Sequence, residues 1–156
     1  MSEFSIPRLA VAARLVLTEG GGRDGEIYVM EHVPKHTGVE TPLEMLNRPE
    51  GFFPFRPARD GGVLLVAKAR TIVLSTARAV SPQDPARLSA AKTARLELTL
   101  ADGAHLQGWA MLELPTHHTR LLDYLNASAE PFFAVTTADR THFVNRAHVL
   151  YARPEE

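Results

Sequence analysis

The stretch Arg95-Leu96-Glu97-Leu98-Thr99-Leu100-Ala101 decides the fold class of this chain. Its leucines fall on every second residue, and polar or charged residues stand between them. Because neighbouring side chains of a strand point to opposite faces, this period of two is typical of a half-buried β-strand. The following Ala101-Asp102-Gly103-Ala104 contains an Asp-Gly pair, which indicates a tight hairpin turn. We therefore predict a hairpin that continues to Leu114, with Gly108 marking a bend or a close backbone approach.

The chain repeats itself in a fixed order. Four segments of its first half return in the second half at nearly constant separation. They are Arg14-Leu15-Val16-Leu17-Thr18 with Arg95-Leu96-Glu97-Leu98-Thr99, Leu43-Glu44-Met45-Leu46-Asn47 with Leu122-Asp123-Tyr124-Leu125-Asn126, Phe52-Phe53 with Phe132-Phe133, and Lys68-Ala69 with Arg146-Ala147. We interpret this as an internal duplication, with copy one at residues 9–78, a proline-containing linker at 79–91 and copy two at 92–154.

Each copy has the pattern of strand, hairpin, strand, short helical link, strand, turn and strand. A small number of short antiparallel strands leaves two exposed sheet edges, and curling into a barrel removes them. The predicted fold class is therefore all-β with short helical links, arranged as two tandem small β-barrels.

The opening of copy two resembles a known family. The stretch Leu98-Thr99-Leu100-Ala101-Asp102-Gly103-Ala104-His105-Leu106-Gln107-Gly108 is similar to the first half of an Sm-like motif, which has an alternating apolar strand, a glycine in the hairpin and a second glycine five residues later. The closing segment 143–151 resembles the layout of the family's last two strands, but it lacks the Arg-Gly pair typical there. The resemblance implies SH3-like or Sm-like barrels, and Sm-like proteins form rings and bind RNA.

A second resemblance involves the helical link. Leu121-Leu122-Asp123-Tyr124-Leu125-Asn126, followed by Phe132-Phe133, looks like the signature of a short bacterial domain of uncharacterised function. This resemblance implies a bacterial protein and a fold, and it implies no activity.

Composition narrows the function classes. The 156 residues are 45% hydrophobic and 22% charged, with a formal net charge of −1 and no cysteine. The charge lacks the basic excess of a strong nucleic-acid binder, and the absence of cysteine excludes disulfides and thiol chemistry. No apolar stretch approaches the roughly 20 residues that span a bilayer, and we find no secretory signal. We expect a cytoplasmic protein that does not enter a membrane.

We find no motif that names a reaction. The seven histidines do not follow a metal-ligand spacing, because His117 and His118 are adjacent and Pro34 separates His32 from His36. No serine lies in the Gly-x-Ser-x-Gly turn of a nucleophile. We therefore expect no catalytic residue, no metal and no cofactor.

The recurring segments supply the candidate binding residues. Each phenylalanine pair places one ring on each face of a strand, so one ring packs in the core and the other packs between the copies or binds a partner. The asparagines that follow the helical links either end the helix, which we favour, or contact a ligand or a partner strand. The basic residues near the closing strands form a strip that we interpret mainly as a solvated face. The candidate partner-binding residues are Phe52, Phe53, Phe132, Phe133, Asn47, Asn126, Lys68 and Arg146.

The function expected from these features is a non-enzymatic protein-interaction or adaptor role, or that of an assembly subunit that pairs with a protein partner or with itself. The alternative is an Sm-like RNA-binding or ring-forming protein, although nucleic acid is not favoured as a partner. Copy one has the longer glycine- and proline-rich loops, at residues 19–25 and 33–42. Because loops on a rigid scaffold often carry binding, we expect copy one to be the specialised half.

Overall fold

The structure is a computed structural model, which describes residues 8–33, 38–59, 61–78, 92–112, 121–127 and 130–155. Within these ranges the chain forms ten β-strands and two short helices. The strands are β1 (Arg8–Leu17), β2 (Gly22–Met30), β3 (Phe52–Pro57), β4 (Leu64–Ala67), β5 (Thr71–Ala77), β6 (Lys92–Leu100), β7 (His105–Leu112), β8 (Phe132–Thr136), β9 (Arg140–Asn145) and β10 (Val149–Glu155), and the helices are α1 (Pro42–Asn47) and α2 (Leu121–Ala127). Short 3₁₀ turns at Lys68–Arg70 and Arg146–His148 precede β5 and β10.

All ten strands belong to one sheet, in the order β10-β6-β7-β8-β9-β5-β1-β2-β3-β4. Every neighbouring pair is antiparallel. The first half (β1–β5) and the second half (β6–β10) have the same internal order, in which the fifth strand lies beside the first, followed by the second, third and fourth. The predicted all-β class with short helical links is confirmed.

The first hairpin of each half turns on a glycine with a positive φ. Gly20 has a φ of 91° and Gly103 a φ of 86°, a conformation that is open to glycine and strained for other residues. The amide of Gly20 donates to the Leu17 carbonyl at 2.9 Å, and the amide of Gly103 donates to the Leu100 carbonyl at 2.8 Å. The turn predicted at Asp102-Gly103 is confirmed, and the two turns identify structurally equivalent residues, which we call counterparts.

The counterparts correct the sequence alignment of the two halves. Because Leu17 and Leu100 occupy the same place in the turn, Leu15 corresponds to Leu98, whereas the alignment matched it with Leu96. The predicted alignment was wrong by two residues in this strand. A shift of two residues keeps every side chain on its face, so an alternating pattern cannot reveal it.

Two other glycines allow the second strand of each half to cross close to the third. A Cβ atom on Gly25 would collide with the Arg56 carbonyl, and a Cβ atom on Gly108 would collide with the Thr136 carbonyl. The close approach predicted at Gly108 is confirmed, and the same device occurs in the first half. At both positions the second and third strands of a half approach so closely that no side chain fits between them.

Each half has its own cluster of buried apolar side chains. The first cluster contains Leu15, Ile27, Val29, Met45, Leu46, Phe53, Phe55, Val66 and Leu74 from the first half. The second contains Leu96, Leu98, Leu100, Ala110, Leu121, Phe133, Val135 and Val144 from the second half. Burial of such side chains is the main stabilising contribution to a fold of this size.

A basic side chain binds the end of the helix in each half. Lys68 donates from Nζ to the carbonyls of Met45 and Arg48, both at 3.0 Å, and Arg146 donates from Nη1 to the Leu125 carbonyl at 2.9 Å. The last carbonyls of a helix lack partners within the helix and carry partial negative charge, so a cation there stabilises it. The recurrence of Lys68 and Arg146 thus has a structural cause.

Several predicted features fall in parts of the chain outside the described residues. The predicted linker at residues 79–91 lies outside them, as do residues 34–37 of the long loop in copy one and the adjacent histidines at 117 and 118. The strands form one open sheet that runs through both halves and does not close on itself. The predicted domain boundaries stay predictions.

Candidate assembly interface

The two halves meet at one strand pair, β5 with β9, which we call the internal joint. Its register places Val73 opposite Val144, Leu74 opposite Phe143 and Ser75 opposite His142. The joint therefore pairs the fifth strand of one half with the fourth strand of the other. These two strands are not counterparts, so the joint is heterologous, with a different surface on each side.

Side chains cross the internal joint in both directions. Phe132 and Phe143 come from the second half but pack in the apolar cluster of the first, with 1% and 6% of their surface exposed. Ile72 and Val73 come from the first half but pack in the cluster of the second, with 0% and 8% exposed. The two clusters are thus completed by the joint, and the halves stabilise each other.

Asn47 links the end of α1 to strand β8 across the internal joint. Its Oδ1 accepts from the Phe132 amide at 2.9 Å, and its Nδ2 donates to the Phe132 carbonyl at 3.1 Å and to Glu130 Oε2 at 2.7 Å. A side-chain amide that bonds both backbone groups of one residue acts as a short extra strand. The strand that Asn47 contacts belongs to the same chain, so the predicted contact with a ligand or a partner strand stays a prediction.

The joint also contains a hydroxyl–imidazole pair. Ser75 Oγ lies 2.7 Å from His142 Nδ1, and the other ring nitrogen lies 3.4 Å from Thr137 Oγ1. Burial lowers the pKa of His142 below its ordinary value, and the charge of Arg140 lowers it further, whereas Asp139 opposes the shift. The neutral ring is therefore favoured, and it serves as a cross-strand hydrogen-bonding partner.

The outer edges of the sheet are β4 in the first half and β10 in the second. In the described part of the chain, each of these strands pairs with a neighbour on one side only. Large apolar side chains lie exposed along both edges, which is unusual because exposed apolar edge strands favour association. On the β4 edge they are Phe52 (63% exposed), Leu64 (40%) and Leu65 (74%), and on the β10 edge they are Leu150 (60%) and Tyr151 (57%).

The structure places the four predicted phenylalanines in three environments. Phe53 and Phe133 are core residues, with 2% and 1% of their surface exposed. Phe132 is buried in the internal joint, whereas Phe52 is exposed beside the β4 edge. The expectation of one core ring in each pair agrees with this placement, and only Phe52 is accessible to a partner.

The predicted polar residues also divide. Asn47 is in the internal joint, whereas Asn126 is exposed at the end of α2. Lys68 is 8% exposed, and burial lowers its pKa, with a further contribution from the nearby charge of Arg48. Arg146 also lies over the ring of Phe133, at 5.1 Å from its centroid. Both cations are bound within the chain and do not contribute to an exposed basic strip.

The accessible apolar residues Leu65, Leu150 and Tyr151 were missed by the sequence analysis. A signal was present, because Val63-Leu64-Leu65-Val66 is apolar at every position and so must place apolar side chains on both faces of a strand. Such a run indicates a strand that is covered on both faces. On the edge strand β4 this run leaves Leu64 and Leu65 exposed.

A cleft of about 660 Å³ lies beside the joint. Its charged lining residues are Arg14, Arg56, Arg140, Asp24, Glu26 and Asp139. Arg14 forms an ion pair with Asp24 at 3.1 Å, and Arg56 donates to the Tyr28 hydroxyl at 2.9 Å. With equal numbers of arginines and acids, this cleft has no charge preference that would select an anionic or a cationic ligand.

No group of three or more histidine, aspartate or glutamate side chains in the described ranges is placed to hold a metal ion. Neither helix in those ranges has the length and apolar character needed to cross a bilayer.

Comparison of the chain with protein-family models, with curated proteins and with solved structures gives no match in any of the three. The function must therefore be inferred from the geometry of the chain itself.

Proposed function

We propose that this chain is a non-enzymatic assembly module of the bacterial cytoplasm, which binds protein subunits by pairing its two outer strands with strands of a partner. The observation that carries the proposal is the exposed apolar surface along both β4 and β10. In strand addition, backbone hydrogen bonds supply affinity and alternate side chains supply specificity. Both edges offer backbone groups and apolar side chains in this arrangement.

The proposal includes a finer view of the fold, in which each half is a small SH3-like or Sm-like unit. It is supported by the separate apolar cluster of each half and by their shared strand order. In this view the two units share one continuous sheet through the internal joint.

RNA binding finds less support than protein assembly. Of the cations in the basic strip, Lys68 and Arg146 are bound to helix carbonyls. A single-stranded RNA site needs exposed cations beside exposed aromatic rings. Titration with a labelled oligonucleotide at low and high salt tests this alternative, and salt-dependent binding would revive it.

The proposal is tested by placing a charge on each outer edge. We expect Leu65→Lys and Tyr151→Lys to abolish complexes, because a buried lysine without a partner opposes association. The control is Leu9→Lys, which changes a 38% exposed leucine on β1, an inner strand of the sheet. The measurement is co-purification of a tagged chain with untagged copies and with proteins of the source cell.

The proposal holds if the wild type and the Leu9→Lys variant form the same complexes and the two edge variants lose them. It is overturned if the wild type forms no complex with either source, or if both edge variants retain every complex. Circular dichroism of each variant distinguishes loss of binding from loss of folding.

A further inference from the structure

The outer edges are the counterparts of the two sides of the internal joint. Strand β10 corresponds to β5, because each is the fifth strand of its half and follows a 3₁₀ turn. Strand β4 corresponds to β9, because each is the fourth strand and pairs with the third. Within the described residues, the chain therefore carries a buried copy of the β5–β9 joint in its middle and one unpaired side of the same joint at each end of the sheet.

Apolar side chains that the internal joint buries have large apolar counterparts that are exposed at the ends. Phe132 and Phe143 correspond to Phe52 and Leu65, which follows from their matched places opposite β4 and β9. Phe132 is 1% exposed and its counterpart Phe52 is 63% exposed. Phe143 is 6% exposed and its counterpart Leu65 is 74% exposed. The surface of the β4 side thus keeps the apolar residues that a joint requires.

The β10 side has the same property. Ile72 and Val73 correspond to Leu150 and Tyr151, because Val73 lies opposite Val16 in the first half and Tyr151 lies opposite Thr99, the counterpart of Val16, in the second. Ile72 is 0% exposed and its counterpart Leu150 is 60% exposed. Val73 is 8% exposed and its counterpart Tyr151 is 57% exposed. Each end therefore exposes side chains of the kind that are buried when the joint is formed.

The groups that make the polar contact of the internal joint recur at the outer edges, with an asparagine on the β10 side and a glutamate and a phenylalanine on the β4 side. Asn126, which the sequence repeat matches with Asn47, is exposed near the end of α2. Glu50 and Phe52, the counterparts of Glu130 and Phe132, line a cavity of about 190 Å³ on the β4 side. In the internal joint, the side chain of Asn47 contacts the Glu130 carboxylate and the Phe132 backbone.

We infer that the partner of each outer edge is a second copy of this chain, which adds head to tail so that β10 of one copy pairs with β4 of the next in the register of the internal joint. This inference rests on the proposed function and names its partner. In the internal joint, Ser75 lies opposite His142 and Val73 lies opposite Val144. The same register between two copies places Arg153 opposite Leu64 and Tyr151 opposite Val66. Pro154, which has no amide hydrogen, falls near the far end of the pairing and leaves the preceding residues of β10 able to bond.

The heterologous character of this contact determines the kind of assembly. Each copy offers one β4 side and one β10 side, so every added copy presents a new unpaired side. The assembly continues until it closes into a ring or extends as a fibre, and a symmetric dimer through β4 with β4 is not the product. Along the assembly, the β5–β9 pair within each copy alternates with a β10–β4 pair between neighbouring copies.

The test uses the lack of cysteine in the chain. We introduce Leu64→Cys in one sample and Arg153→Cys in another, and we oxidise each sample alone and then the mixture. Their counterparts His142 and Ser75 are side-chain neighbours, with Nδ1 and Oγ 2.7 Å apart, so cysteines at the corresponding positions should lie within disulfide reach. We expect a covalent dimer in the mixture and little in either sample alone.

Two further variants keep the test decisive. The Leu64→Cys/Arg153→Cys double variant should give a ladder of covalent multimers, or a closed species of one size. The Ser75→Cys/His142→Cys double variant is the matched control, because it should close a disulfide within one chain without changing the mass. A dimer in Leu64→Cys alone would identify a symmetric β4 contact and overturn the inference.

The failure of this inference is distinguishable from the failure of the proposed function. A monomeric mass in light scattering at all concentrations, with no cross-link in the mixture, overturns the head-to-tail assembly. If complexes with another protein are then still lost in Leu65→Lys, the edge pairs with a different chain and the proposed function stands. If no complex of any kind depends on the edges, both fail.

Discussion

Phe132 and Phe52 occupy the same place in the two halves of the molecule, yet 1% of the first side chain is exposed and 63% of the second. Both begin the third strand of their half and both precede a core phenylalanine. What differs is the neighbour: Phe132 is covered by the first half through the internal joint, whereas Phe52 faces the outer edge. The local sequence thus predicts the strand, and the burial of a residue depends on which unit lies beside it.

The strongest test of this comparison is to truncate both rings. We expect Phe132→Ala to lower the free energy of unfolding by about 3–5 kcal/mol, because it removes a buried ring and leaves a cavity. Phe52→Ala should change it by no more than about 0.5 kcal/mol in the monomer, as for other exposed positions. Urea denaturation at low protein concentration measures both values. Equal losses for the two variants would contradict the distinction between the joint and the outer edge.

The second test concerns a feature that the two halves share. Gly25→Ala and Gly108→Ala should each destabilise the fold by about 1–3 kcal/mol, because the added Cβ atom meets a backbone carbonyl of the neighbouring strand. The matched control is Gly51→Ala, since a Cβ atom there meets nothing within 4 Å. Thermal unfolding of the three variants measures the effect. A loss in one half only would indicate that the two crossings are not equivalent.

Much of the fold was predictable from the sequence because it depends on local patterns. The alternation of Leu96, Leu98 and Leu100 predicted a half-buried strand, and Asp102-Gly103 predicted the hairpin. Both signals involve residues close together in the chain. The recurrence of Phe52-Phe53 as Phe132-Phe133 likewise predicted two related halves, which share one strand order.

The joint was not predictable from such patterns, because it depends on which strands of the two halves meet. A pattern of period two is unchanged when a strand gains or loses a neighbour along the hydrogen-bonding direction. Lys68 and Arg146 illustrate the same limit: we interpreted them mainly as part of a solvated basic face, whereas each donates to a carbonyl at the end of a helix. The exposed edges at Leu65 and Tyr151 became visible only when the strand order was known.

The third test compares the two asparagines. Asn47→Ala should lower the free energy of unfolding by about 1–3 kcal/mol, because it leaves the backbone groups of Phe132 without this partner. Asn126→Ala should leave the stability of the monomer within about 0.5 kcal/mol of the wild type, because its side chain is exposed. If the head-to-tail assembly forms, Asn126→Ala should weaken it. Chemical denaturation and light scattering give the two readouts, and a stability loss in Asn126→Ala equal to that in Asn47→Ala would contradict the comparison.

The smallest effect we expect concerns pH and the pair Ser75–His142, whose counterparts at the outer edges are Arg153 and Leu64. Burial and Arg140 lower the pKa of His142 in the folded protein, so the unfolded chain binds a proton at a higher pH than the folded chain does. The contribution of the neutral ring to stability is therefore complete above the ordinary histidine value of about 6.5, and it is lost as the pH falls through the lower, folded value.

We accordingly expect the urea midpoint to fall between about pH 7.5 and about pH 5.5 in the wild type. The decrease should be smaller in a Ser75→Ala/His142→Leu variant, in which the histidine is replaced by the residue found at its counterpart Leu64 and the serine no longer needs a partner. Both proteins keep Arg140 and Asp139, the charged groups that shift the pKa of His142, so the difference between the two slopes isolates His142. An identical decrease in the two proteins would assign the pH dependence to other groups and would make the internal joint insensitive to protonation.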